Sequence, residues 1–134
     1  MKLGFRNNGT VLLIAVFVVA LLSAVVIGML HVITGEIQIM RNQVYLTHAL
    51  ATSEAGLNDA FAEIRSDSSW TAGFTGKAFN GGSYTVTVTG SLPNLTIEST
   101  GASAQGFVAR VAADTTIGTS SPYIIRIDEL RINE

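Results

Sequence analysis

The chain has 134 residues and not one cysteine. That absence removes disulfides, thiolate catalysis, iron–sulfur clusters and cysteine zinc sites together. It leaves an exported location open. Charge is also scarce: eight Lys and Arg against ten Asp and Glu give a net charge of -2, and charged residues make up only 13% of the chain. Lys2 and Arg6 lie at the start and mostly acidic residues follow, so no basic surface for nucleic acid is expected. His31 and His48 are too far apart to share a short metal site on one helix, and each reads as a packed or interfacial side chain. No Gly-x-Ser-x-Gly occurs, and neither histidine has an obvious nucleophile beside it in sequence. Glu54, Asp59 and Glu63 fit a solvated helix face better than a paired acid and base. The sequence therefore offers no catalytic residue, metal ligand or cofactor site, and no enzymatic activity is expected.

What is present is concentrated at one end. From Asn7 to Gly35 there is no Asp, Glu, Lys or Arg, and Val11 to Ile33 is interrupted only by Ser23, Gly28 and His31. A helix over that stretch is about 34 Å long at 1.5 Å per residue, matching a hydrocarbon core of about 30 Å with modest tilt. A secretory signal peptide has a shorter apolar region, roughly 7 to 15 residues, followed by a small-residue cleavage site. The run is too long for that. Lys2 and Arg6 precede the span and Glu36 and Arg41 follow it, so the positive-inside bias places the N-terminus in the cytoplasm and the rest outside.

The helical signal continues past the span. Glu36 to Asp67 lacks proline, and Ile37, Met40 and Val44 carry an apolar stripe onward. Leu50, Leu57, Phe61 and Ile64 then fall on one face. One nearly continuous helix from about Thr10 to Ser66 is expected, with residues 10–34 in the membrane and 35–66 an amphipathic continuation. Ser66 to Gly82, rich in Ser, Gly and Asp, reads as a loop pinned by Trp70, Phe74 and Phe79. Ser83 to Thr89 alternates strictly, with Tyr84, Val86 and Val88 on one face and threonines on the other. Turns at Gly90 to Asn94 and Thr100 to Gly106 lead into strands at Leu95 to Ser99 and Phe107 to Ala113. Tyr123 to Ile132 reads as a fourth strand, with Asp128 to Leu130 open to a helical turn. The expected fold is α+β: a long helix whose face Leu50, Leu57, Phe61 and Ile64 lies across a small antiparallel sheet of three to four strands over residues 67–134.

A short basic leader ending in glycine, a membrane helix that runs on beyond the bilayer, and a sheet over its second half together resemble type IV pilins and pseudopilins. Arg6-Asn7-Asn8-Gly9-Thr10-Val11-Leu12-Leu13-Ile14-Ala15 resembles the leader junction of the PilX-type minor pilins. Ser53-Glu54-Ala55-Gly56-Leu57 resembles their Ala-Glu-Ala-Gly-Leu segment, and the strands over 95–101 and 107–111 are similar. The resemblance implies that residues 1–9 are a prepilin leader, cut by a prepilin peptidase between Gly9 and Thr10, and that Thr10 becomes a methylated N-terminus. Gly4-Phe5 is the alternative site; cutting there leaves Arg6, Asn7 and Asn8 ahead of the apolar run. It also implies a bacterial inner-membrane protein that later joins a periplasmic or surface filament. Its partners are then membrane lipid, the peptidase, the assembly platform and other pilin-like subunits.

Within such a bundle Ile14, Phe17, Leu21, Val25 and Gly28 are the candidate packing residues. Ile14 stands where most pilins carry a glutamate. The K-type minor pseudopilins and some PilX-type proteins share that absence, which points to a tip or initiating position or to a low-abundance subunit. Gly28, Gly35 and Asn42 are candidate points for the helix to loosen as subunits leave the bilayer. The alternative function is a membrane-anchored binding module or adhesin that stays monomeric and displays the loop carrying Trp70 and Phe74.

Overall fold

The computed structural model describes residues 7–132. Lys2, Arg6 and the Gly4-Phe5 alternative lie outside the described residues. A single helix, α1 (Asn7–Ser66), is followed by five strands: β1 (Phe74–Phe79), β2 (Gly82–Ser91), β3 (Asn94–Ala102), β4 (Val108–Ile117) and β5 (Ile125–Ile132). The strands pair antiparallel in chain order. This is the α+β fold expected, with one strand more than the three to four anticipated. The described residues fall into two units, one ending at Arg41 and the other beginning at Asn42.

The additional strand is β1, inside the segment read as a loop. Its signal is the Asn80-Gly81 pair: Asn80 has φ 45° and Gly81 φ 79°, and Phe79 pairs with Gly82 across them. Two consecutive positive φ values make the tight hairpin whose twist matches the strands it joins, and Asn-Gly is the pair best suited to it. Phe74 is thus the first residue of a strand, not part of a loop. β2, β3 and β4 run longer than expected, while β5 begins at Ile125 and not at Tyr123. Gly90 and Ser91 belong to β2, so the turn shrinks to Leu92-Pro93, between Ser91 and its partner Asn94. Asp128 to Leu130 forms no helical turn; it lies within β5, which absorbs one extra residue opposite Asp114 and Thr115 as a bulge.

In the Asn42 unit the core lies between α1 and one face of the sheet. Tyr84 and Val86 are buried and Val88 half-buried, while Thr85, Thr87 and Thr89 are exposed, as the alternation requires. Leu57, Ala60 and Ile64 of α1 close on Ile97, Val111, Ala113 and Ile117. Burying each large aliphatic side chain contributes about 1.5–3 kcal/mol.

Candidate functional site

Two surfaces of α1 are set out by the sequence: the uncharged first half and the sheet-bound second half. On the first half Ile14, Phe17, Leu21 and Val25 are all exposed, as is every other large aliphatic residue from Val11 to Ile33. Added Cβ atoms at Gly28 and Gly35 meet nothing, and α1 continues unbroken through Gly28, Gly35 and Asn42. Two of its hydroxyls are satisfied locally. Ser23 Oγ donates to the Val19 carbonyl at 2.8 Å and Thr34 Oγ1 to the Leu30 carbonyl at 2.8 Å. Such back-bonding lets a hydroxyl lie in an apolar medium without an unpaired donor. This helix is long and apolar enough to cross a membrane.

Gly9 and Thr10 are exposed and lie within α1.

The second surface differs from the expectation in its centre. Leu57 and Ile64 are buried, but Leu50 and Phe61 are only half-buried at the margin. The residues between them are small: Ala49, Thr52, Ser53, Gly56 and Ala60 are all buried. A Cβ on Gly56 would collide with Ser99 Oγ and would lie 2.7 Å from the Tyr84 ring. One on Gly101 of β3 would strike the backbone of Ala49 and Ser53. Glycine on each side therefore lets helix and strand backbones approach directly. The Ser53 to Leu57 segment is the middle of the stretch that lands on the sheet.

The buried hydroxyls of this face bond within the helix itself. Thr52 Oγ1 donates to the His48 carbonyl at 2.8 Å and Ser53 Oγ to the Leu50 carbonyl at 2.7 Å. At the flank, Asp59 accepts from the Tyr84 hydroxyl and from Lys77 Nζ, the latter at 2.5 Å. The Lys77 ammonium also lies 4.5 Å from the Phe74 ring centre. These contacts tie α1 to β1 and β2. Lys77 and then Tyr84, by donating to its carboxylate, hold Asp59 below the ordinary value of 3.8. Burial pushes the Tyr84 hydroxyl up, and its bond to the Asp59 carboxylate adds to that.

Trp70 and Phe74 are half-buried, lie 5.1 Å apart between ring centres with their planes tilted by 47°, and pack against the core, with Phe74 edge-on to Tyr84. His48 lies 3.4 Å from the Asn80 side chain. Among the described residues no three His, Asp or Glu side chains come together as metal ligands. The opposite sheet face is polar, and a shallow depression of about 170 Å³ there is lined by Glu98, Arg110, Ala112 and Arg131. The chain matches no protein-family model, no curated protein and no solved structure.

Proposed function

We propose that the chain is a pilin-like structural subunit, a minor pilin or pseudopilin, that assembles through α1 into a type IV pilus or type II secretion pseudopilus. The observation that carries this reading is one 60-residue helix with two kinds of surface. Its first half is uncharged and exposes large aliphatic side chains all round. Its second half is the hydrophobic partner of the sheet. In lipid the first half faces acyl chains; in a filament Ile14, Phe17, Leu21, Val25 and Gly28 face neighbouring helices instead. Ile14 in place of glutamate avoids burying an acid in the bilayer and removes one docking contact, which fits a tip or initiating position. The subunit waits in the bacterial inner membrane, N-terminus inside and sheet domain outside, as Lys2 and Arg6 dictate. The competing reading is an anchored binding module that displays Trp70 and Phe74; it has less support, because both are half-buried against Tyr84 and the core.

The N-terminus is the test. Intact-mass and peptide mass spectrometry on protein from a host with an active prepilin peptidase should find a chain that begins at a methylated Thr10. A mature chain that still begins at Met1 or Lys2 refutes the reading.

A further inference from the structure

The helix covers the sheet unevenly. Ala49 and Ser53 rest on Gly101 and Gly56 faces Ser99, so α1 runs along β3. On one flank Asp59 reaches Tyr84 of β2 and Lys77 of β1, and Trp70 and Phe74 close that side. Leu50 precedes Asp59 by nine positions, which at about 100° per residue puts it on the opposite flank together with Phe61. That flank turns toward β4 and β5.

There the cover ends. Ile125, Ile127, Leu130 and Ile132 of β5 stand directly opposite Ile117, Thr115, Ala113 and Val111, all buried beneath or beside the helix. Directly opposed residues project from the same face of a sheet. Yet Ile127, Leu130 and Ile132 are 49%, 51% and 48% exposed. The other face of β5 carries Arg126, Glu129 and Arg131, with Arg131 paired to Asp114 at 2.8 Å. One side of this strand is already satisfied; its apolar side, with Leu50 and Phe61, forms an open groove.

An added strand is a poor occupant, because both sheet edges are blunted. The edge strand β5 has its bulge and charges, and β1 has an irregularity between Phe74 and Lys77 with Gly76 at φ 58°. A second helix laid beside the first is what covers such a face. The chain carries a matching one. Beyond the uncharged span, Ile37, Met40 and Val44 are 42%, 56% and 64% exposed, and Arg41 lies on the same stripe. At the rim of the groove, between Leu50 and Phe61, stands exposed Glu54.

We infer that the groove receives the Ile37–Val44 stretch of α1 from a second copy of this chain, with Arg41 meeting Glu54. The inference rests on the assembly reading and names one contact within it.

The natural lack of cysteine permits a clean test on the full chain in membranes. Copies carrying M40C are mixed with copies carrying I127C and mildly oxidised, with T87C on the opposite sheet face as the control partner. The expected result is a mixed M40C–I127C disulfide and none with T87C. F17C and V25C report separately on the membrane bundle. If they crosslink while M40C–I127C does no better than the control, the docking inference fails and the bundle reading stands. If neither pair crosslinks, both fail. Capture of I127C only by a different protein also overturns the inference.

Discussion

Gly56 and Gly101 set how closely α1 approaches the sheet, and they do so through what they lack. Replacing Gly56 with Ala drives a methyl against Ser99 and the Tyr84 ring, and replacing Gly101 drives one into helix backbone. Overpacking of this kind costs typically 1–3 kcal/mol, and backbone on one side leaves little room to relax. Each variant should lower the melting temperature of the sheet domain. Gly28→Ala and Gly35→Ala meet open space. Each should hold or slightly raise helix stability, since Ala is favoured over Gly by about 1 kcal/mol within a helix. Circular dichroism melts of the four variants in one detergent compare them directly. Ser99 adds a second residue-scale contrast: its Oγ is buried without a hydrogen-bond partner. An unpaired buried hydroxyl costs about 1–3 kcal/mol, so Ser99→Ala should leave stability unchanged or raise it. A clear loss of stability on Ser99→Ala would show that the hydroxyl has a partner.

At the scale of elements, β1 is held to the rest of the domain by a short hairpin and by a polar clamp. Gly81 at φ 79° accepts a side chain only with strain, roughly 1–2 kcal/mol for a left-handed residue. Gly81→Val should loosen β1 first, seen as faster amide exchange in Phe74–Phe79 than in β3. The clamp makes the fold acid-sensitive with a definite sign. Asp59 is held below 3.8 in the folded chain, so its contribution is complete above that value and fades as pH falls through the lower, folded one. Asp59→Asn should therefore destabilise the domain at neutral pH and flatten the fall of its melting temperature below about pH 4. An Asp59→Asn chain whose acid profile matches the parent would place the acid sensitivity in other carboxylates. Asp114 and Asp128 are depressed in the same direction, by Thr96 and Thr116 first and by their arginines second.

These elements also show what the sequence discloses. Long helices and alternating strands have strong periodicity, so α1 and β2 are legible within a few residues. The β1 strand is not, because Gly76, Lys77 and the aromatics break its alternation; only Asn80-Gly81 marks it. The large apolar residues of α1 disclose its landing face only in part: Leu57 and Ile64 are buried there, but Leu50 and Phe61 mark its margin. Its centre, Ala49, Ser53, Gly56 and Ala60, carries no hydrophobic periodicity, and its meaning depends on a partner glycine far along the chain. The uncovered face of β5 is hidden for the same reason, since exposure there depends on where the helix stops covering the sheet.

For the molecule as a whole, the question is whether anchoring and folding separate. Leu21 and Val25 are exposed and lie within the uncharged run, so altering them removes no buried contact. A Lys or Arg near the centre of a membrane helix costs about 2.5–3.5 kcal/mol on insertion scales. Leu21→Arg together with Val25→Arg doubles that cost and leaves Ser53, Gly56 and the sheet core unchanged. The expected outcome is loss of the chain from the carbonate-resistant membrane fraction while the domain keeps the melting temperature of the parent measured in the same detergent. Retention of the double variant in that fraction would mean that the run does not span the bilayer. A lowered melting temperature would mean instead that the span and the sheet domain fold as one cooperative unit. On the proposed assembly reading separability matters, because a subunit that exchanges lipid for neighbouring helices must keep its sheet domain folded while the surroundings of its anchor change completely.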